Sequence, residues 1–153
     1  LFRSPNITVN GVFPHRCDDG MTIYNQVTAL DFDHIPTSEM LQVSEMLIRN
    51  PLTHYLFTSP SVNGYKVLVK HDNVHPEFHW NLYAQLLQVF GNIPYIDKGV
   101  HDFSRATFLS YDGDSYYNPQ SKSFHFEYAP NITQLTKNWV ISGVSKYNSL
   151  YRS

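Results

Sequence analysis

Hydrophobic residues recur along this chain at two spacings, one typical of strands and the other of helices. Residues 27–33 (VTALDFD) form a largely apolar run that predicts a buried strand. Residues 65–70 (YKVLVK) alternate between apolar and polar side chains, as a half-buried strand does. Between these runs, apolar side chains at helical spacing predict a helix over residues 38–49, which Asn50-Pro51 ends.

The second half of the chain contains one more helix-like pattern. Residues 76–90 carry apolar side chains at helical spacing, with Pro76 suited to the first helical position and Gly91 to the end. Three further short runs have the composition of strands: residues 54–58, 106–111 and 123–128. After Pro130 the pattern only weakly suggests a helix.

The predicted order from residue 27 to residue 111 is β-α-β-β-α-β. This order is the split βαβ unit (RRM-like or ferredoxin-like), an antiparallel sheet with two helices on one face. Short strands within residues 6–14 and 21–24 precede it, and the predicted fold class is α+β. Residues 1–130 are interpreted as one domain and residues 131–153 as a C-terminal segment leading to a further domain. The chain begins with Leu1 and not Met, so we expect it to be a piece of a longer protein.

Charge and cysteine content narrow the function classes. The formal net charge of −2 argues against a protein held to nucleic acid by bulk electrostatics alone. Residues 119–153 nevertheless carry four basic side chains against one acidic side chain. Cys17 is the only cysteine, which excludes a disulfide within the chain and favours a cytoplasmic location. No apolar run approaches the roughly 20 residues that span a bilayer, so no membrane association is expected.

Two aspartates alternate with apolar residues at the end of the first predicted buried strand. Alternation puts Asp31 and Asp33 on one face and Phe32 on the other. Two adjacent carboxylates repel unless a cation neutralises them, and Mg²⁺ or Mn²⁺ prefers such oxygen ligands. The alternative is that both acids simply leave the strand into solvent.

A turn between two predicted strands is the second candidate site. Residues 59–64 (SPSVNG) contain hydroxyl groups at Ser59 and Ser61 and a glycine at Gly64, and Lys66 follows. Backbone N–H groups in such a turn can hold phosphate oxygens, and a lysine adds a point charge. An ordinary hairpin turn would have the same composition.

Further charged residues follow the second predicted helix. Asp97 comes after an apolar pair and is a candidate third ligand. Arg105 is a candidate phosphate contact, unless it pairs with Asp102. Three histidines have the four-residue spacing that zinc ligands sometimes use, but the predicted helix start at Pro76 separates them: His71, His75 and His79.

The three acidic and turn motifs together resemble a known family. They read LDFDHIP at 30–36, SPSVNGYKVLVK at 59–70 and YIDKGVHDFSRATFLSYDGDSYYN at 95–118. Their order is similar to that of the VirE-type N-terminal domain in the archaeo-eukaryotic primase-polymerase superfamily, which is attached to primase-helicase-like proteins. The resemblance implies that Asp31, Asp33 and Asp97 hold two metal ions. Lys66 stands where the superfamily has histidine, and Val62 where this type more often has glycine.

The resemblance implies metal-dependent nucleotidyl transfer in DNA replication as the leading function. The site would hold Mg²⁺ or Mn²⁺ and a nucleoside triphosphate, with Ser61, Gly64, Lys66 and Arg105 on the substrate. The expected partners are single-stranded DNA or RNA and a helicase domain in the full-length protein. The alternatives are a non-catalytic nucleic-acid-binding or helicase-associated module of the same fold, and a metal-dependent phosphoesterase.

Overall fold

The computed structural model describes residues 5–14, 20–99, 106–129 and 134. Within these residues the fold is α+β, with two α-helices and antiparallel sheets. The helices are α1 (Met40–Arg49) and α2 (His79–Val89). The strands in chain order are β1 (Asn6–Thr8), β2 (Gly11–Val12), β3 (Ile23–Tyr24), β4 (Val27–Phe32), β5 (Thr53–Thr58), β6 (Tyr65–Lys70), β7 (Ala106–Phe108) and β8 (Tyr116–Tyr117).

The main sheet has four antiparallel strands in the order β4-β6-β5-β8. Leu30 of β4 lies opposite Val67 of β6, and Val67 lies opposite Leu56 of β5. All three side chains are buried. Asp31 and Lys66, one position away on the same two strands, also lie opposite each other and therefore point to the other face.

Both helices form where their apolar stripes predict them. A turn of 3-10 helix precedes each one, at Thr37–Glu39 and at Pro76–Phe78. The N–H of Asn50 donates to the carbonyl of Leu47, and the chain then becomes extended before Pro51, which cannot continue a helix. The helix predictions for 38–49 and 76–90 are therefore confirmed, apart from the first turns.

One hydrophobic cluster joins the two helices to a single face of the main sheet. Its members are buried side chains from α1, α2, the strands and the loops around them: Leu30, Phe32, Ile35, Val43, Leu47, Leu56, Val67, Val69, Leu82, Tyr83, Ala84, Leu86, Leu87, Phe90, Ile93 and Phe126. Burying each large apolar side chain contributes roughly 1.5–3 kcal/mol, so this cluster is the main source of stability.

The predicted fourth strand does not join the main sheet. Ala106–Phe108 pairs instead with Asn6–Thr8 in a separate two-stranded sheet. The segment after α2 pairs instead with the end of β4, where Ile96 forms an antiparallel bridge with Phe32. Residues around Ile96 thus take part of the position that the prediction gave to residues 106–111.

Two other strand predictions differ in extent. The predicted strand at 123–128 contributes a single bridge, between Phe124 and His71. The N-terminal strands are shorter than predicted, and Gly11–Val12 pairs with Ile23–Tyr24. Nearly all of the segment 131–153 lies outside the described residues, so the prediction of a segment leading to a further domain is not addressed there.

The second face of the main sheet is partly covered by the small sheet formed by β1 and β7. Val9, Asn10, Ala106 and Thr107 lie over Ala29, Asp31 and Lys66 and enclose a cavity of about 20 Å³ with them. The central strands are thus enclosed on both faces near Asp31. Within the described residues, no helix is long and apolar enough to cross a membrane.

Truncating Leu86 should destabilise the protein strongly. The side chain of Leu86 on α2 is fully buried in the cluster, so Leu86→Ala should lower the free energy of unfolding by about 2–5 kcal/mol. Leu41→Ala is a matched control because Leu41 is 72% exposed, and it should change that free energy by less than about 1 kcal/mol. Urea denaturation measures both, and equal losses would contradict the packing of α2 against the sheet.

Candidate functional site

Asp31 and Lys66 form a buried ion pair between the two central strands. The Nζ of Lys66 donates to Oδ1 of Asp31 over 2.6 Å. Only 14% of the lysine side chain and 7% of the aspartate side chain are exposed. The strand register puts these residues opposite each other, and the small β1-β7 sheet covers them. Asp31 is therefore neutralised by a lysine of its own sheet.

Asp33 and Asp97 line an open pocket at the end of β4. The N–H of Asp33 donates to the carbonyl of Tyr95, and the N–H of Asp97 donates to the carbonyl of Asp31. These bonds flank the Phe32–Ile96 bridge, so Asp31, Asp33 and Asp97 share one side of the paired segments. The pocket has a volume of about 500 Å³, and its lining also includes His34, Tyr95, Ile96, Lys98 and Gly99.

The carboxylate of Asp33 is held in an environment that disfavours its charge. Partial burial raises its pKa, and the neighbouring carboxylates of Asp31 and Asp97 raise it further, against a smaller opposing effect of Lys66. Within the described part of the chain, the side chain of Asp33 makes no hydrogen bond or ion pair. Asp97, by contrast, accepts a 2.7 Å hydrogen bond from the N–H of Gly99.

The serine-containing turn between β5 and β6 lies next to Asp33. A Cβ atom on Gly64 would come within 2.4 Å of the Phe32 carbonyl oxygen and 3.0 Å of Oδ1 of Asp33, so only glycine fits there. The hydroxyls of Ser59 and Ser61 lie 2.8 Å apart. The turn is thus close enough to Asp33 for its hydroxyls and the Asp33 carboxylate to contact the same ligand.

Three residues around the pocket and the turn have left-handed backbone conformations. His34 has φ 60°, Val62 has φ 66° and Tyr95 has φ 72°. Such values are uncommon for residues with a Cβ atom, and for a β-branched residue such as Val62 they are strained. The strain is offset by the surrounding hydrogen bonds, including the bond from the N–H of Ile35 to the carbonyl of Asn63.

The structure brings together some of the predicted site residues and separates others. Asp31, Asp33 and Asp97 converge, and Gly64 lies against Asp33, with Ser61 exposed in the same turn. Lys66 contacts Asp31 and not the turn. Arg105 lies outside the described residues.

Sequence reasoning did not select His34, Tyr95 or Lys98 as pocket residues. His34 and Lys98 directly follow Asp33 and Asp97 in the chain, and their position beside an acidic residue was the available signal. The Tyr95 hydroxyl donates to a carboxylate oxygen of Glu39 over 2.6 Å, which raises the pKa of the Tyr95 hydroxyl and ties the pocket wall to the start of α1.

The histidines with four-residue spacing do not form a metal site in the described structure. His71 and His79 are buried, whereas His75 is exposed. Burial lowers the pKa of His71 to about 4 and that of His79 to about 3, and Nδ1 of His79 lies 2.9 Å from the Tyr24 hydroxyl. Across the described residues, no three or more His, Cys, Asp or Glu side chains are arranged to hold a metal ion.

Comparison with known proteins identifies a family for most of the chain. A family model described as BT4734-like, N-terminal domain matches residues 3–117. This is a different family from the VirE-type primase-polymerase domain that the motifs resemble, so that assignment is wrong. Short acidic and turn motifs occur in many folds, so their order alone did not identify the correct family. No curated protein and no solved structure is significantly similar to the chain.

Replacing Lys66 should destabilise the fold. Lys66→Met leaves Asp31 buried without its cation, which should lower the free energy of unfolding by about 3–5 kcal/mol. The double variant Asp31→Leu with Lys66→Met removes both charges and should lose less than the single variant. The exposed pair of Glu45 and Arg49 is the control, and Glu45→Ala should cost less than about 1 kcal/mol. Additive losses in urea denaturation would contradict the ion pair.

Replacing Asp33 should stabilise the fold in a pH-dependent way. Because the pKa of Asp33 is raised on folding, the folded state binds this proton more tightly, and stability is lost as pH rises from about 3.8 through the raised pKa. Asp33→Asn stays neutral, so its melting temperature should exceed that of the wild type at pH 7, with the difference shrinking toward pH 3.8. Asp114→Asn in an exposed turn is the control. An unchanged or lower melting temperature at pH 7 for Asp33→Asn would refute the assignment.

Proposed function

The chain belongs to the BT4734-like, N-terminal domain family, and we propose that this member binds a divalent cation together with a nucleoside triphosphate at Asp33 and Asp97. The observation that carries the proposal is the Asp33 carboxylate. It lines an open pocket without a partner among the described residues, and its pKa is raised in part by two further carboxylates.

The donor set suits a hard cation. Asp33 and Asp97 offer carboxylate oxygens on one pocket wall, which is the ligand type that Mg²⁺ and Mn²⁺ prefer. Those two residues would hold the ion, while Asp31 stays paired with Lys66. A bound Mg²⁺ or Mn²⁺ would neutralise phosphate charge in the pocket. Two carboxylates leave most positions of such an ion open for phosphate and water oxygens.

The residues around the carboxylates suit phosphate groups. Lys98 and His34 are exposed on the pocket wall, and Lys98 forms no ion pair within the described residues. The serine hydroxyls of the adjacent turn, including Ser61, add uncharged donors, and Gly64 lets the backbone approach closely. Lys98 takes the role that the sequence suggested for Lys66, because Lys66 is bound to Asp31.

The reaction we propose for this site is nucleotidyl transfer, in which the 3′-hydroxyl of a primer or nucleotide loses its proton and attacks the α-phosphate, and pyrophosphate leaves. Asp33 and Asp97 would hold the cation, which would neutralise phosphate charge, and Lys98 and the turn would keep the phosphates in place. We also propose that the segment around Ile96 is a shortened fourth strand of a split βαβ unit, because it pairs antiparallel with the outer edge of β4. Its shortness would leave the end of β4 open to the ligand.

A binding module without turnover is the second candidate, and the Asp31–Lys66 ion pair favours it. Nucleotidyl transfer by two metal ions uses carboxylates that bridge both ions, and Asp31 is already neutralised by a lysine at 2.6 Å. With Asp31 committed, the pocket would hold one cation and its ligand. Such a module would act beside a neighbouring domain of a longer protein, for example a helicase.

Calorimetry tests the binding site. Mn²⁺ alone should bind the wild type weakly, and more tightly when a nucleoside triphosphate is present, because the phosphates fill positions that the carboxylates leave open. Asp33→Asn with Asp97→Asn should abolish this increase in affinity. Lys98→Ala should weaken triphosphate binding while leaving the binding of Mn²⁺ alone unchanged.

Asp114→Asn, outside the pocket, should behave as the wild type in the same titrations. A wild-type protein whose Mn²⁺ affinity is unchanged by triphosphate would overturn the proposed site. Extension of a primer on a template separates the two candidates: extension that is lost in the double variant supports nucleotidyl transfer, whereas triphosphate binding without extension supports the binding module.

A further inference from the structure

A strip of aromatic side chains lies on the main-sheet face that points away from the helices. We call His54, Tyr55 and Tyr117 the aromatic strip. The ring centroids of His54 and Tyr117 are 5.3 Å apart, and those of Tyr55 and Tyr117 are 6.2 Å apart. Phe57 continues the row beneath the surface, with its ring centroid 5.7 Å from that of Tyr55.

A β-bulge creates this strip. The pairing of β5 with β6 shifts between Thr53 and Tyr55, so His54 is the extra residue. A bulge changes the direction of the side chains around it, and here the His54 ring contacts Tyr117, which pairs with Tyr55. Nδ1 of His54 lies 2.9 Å from the Ser121 hydroxyl, which holds the ring in place. The strip is therefore held in position by its neighbours.

The strip does not belong to the hydrophobic cluster. Leu56 and Tyr116, at the alternate positions of the same strands, point to the helix side and pack in or against the cluster. Tyr117 is 59% exposed, and His54 and Tyr55 are half-buried. Packing of the core thus does not explain three adjacent rings on this face.

Two lysines flank the strip. Lys70 lies two residues beyond Leu68, which pairs with Tyr55, so it shares this face of the sheet. Lys122 follows Ser121, and its N–H donates to the carbonyl of Pro51 beside β5. Neither lysine forms an ion pair with any residue that the structure describes. Both lysines thus lie close to the strip in the sheet or in the chain, and among the described residues neither has a counter-ion.

We propose that the aromatic strip binds single-stranded nucleic acid, with bases stacked on the exposed rings and phosphates beside Lys70 and Lys122. Flat rings of any base can stack on aromatic side chains, and flanking cations attract the phosphate backbone. A neutral oligosaccharide would also stack on the rings but would gain nothing from the lysines. A buried protein partner would leave both lysine charges desolvated, which is unfavourable.

This binding surface is independent of the Asp33 pocket. None of the three rings and neither lysine is among the residues that line the pocket. Binding of a single strand should therefore persist in the Asp33→Asn, Asp97→Asn variant. Loss of triphosphate binding and loss of strand binding are thus separable outcomes.

Fluorescence anisotropy with a labelled thymidine oligonucleotide and the full 153-residue chain tests the proposal. Tyr117→Leu keeps an apolar side chain on the edge strand but removes the ring, and should weaken binding by about 5- to 150-fold, the range for one stacked base. Tyr117→Phe keeps the ring and should bind as the wild type does. Tyr111→Leu is the matched control, because Tyr111 is fully exposed and lies outside the strip.

Salt dependence tests the lysines separately. Removing two phosphate contacts with Lys70→Ala and Lys122→Ala should reduce the slope of log affinity against log salt by about 1.4. Thermal melting verifies that each variant is folded. Absence of oligonucleotide binding by the wild type, equal affinity of Tyr117→Leu and Tyr117→Phe, or preference for a neutral oligosaccharide would each overturn the proposal.

Discussion

Lys66 and Asp31 are joined across the two central strands of the main sheet by a 2.6 Å ion pair that is almost wholly buried. Because alternate residues of a strand point to opposite faces, a slip of one residue between β4 and β6 would set Asp31 opposite Val67, which lies in the hydrophobic cluster. The cost of burying an unpaired charge forbids that arrangement. The ion pair and the apolar face of the sheet therefore specify the same register.

That register also determines the character of the acidic pocket. Lys66 neutralises Asp31, so the next acid along, Asp33, is left without a cation of its own among the described residues. The segment that returns along β4 adds Asp97 to the same wall through main-chain hydrogen bonds. Left-handed conformations at His34 and Tyr95 accompany this tight pairing. The main-chain pairing thus fixes two acidic side chains at the end of the strand, where binding of an external cation would be most favourable.

The two faces of the main sheet differ because different segments cover them. The face toward α1 and α2 supplies the hydrophobic cluster and with it most of the stability. Among the described residues, the β1-β7 sheet covers the opposite face near Asp31 and Lys66, and another part of that face carries the aromatic strip. A polar interaction on this face is therefore protected from water at one end, while aromatic surface is accessible at the other.

The sequence by itself determined the helices, the three central strands and the proximity of the paired aspartates, because each follows from local periodicity. Helical spacing over residues 40–48 and alternation over residues 65–70 are short-range patterns that the final fold retains. Such patterns identify which side chains share a face, and they placed Asp31 and Asp33 together. They carry no information about the element that covers that face.

Only the tertiary structure decided how those elements pair. Ala106–Phe108 pairs with the N-terminal strand, and the segment around Ile96 pairs with the end of β4, and neither pairing follows from a local pattern because the partners are distant in the chain. The tertiary structure also decided that Lys66 contacts Asp31 and not the turn. The cross-strand register, which no local pattern encodes, brings the two charges within hydrogen-bond distance. A buried charge is costly unless an opposite charge is paired with it. Because the register decides which acid is paired with Lys66, it also determines which acid stays available for a ligand.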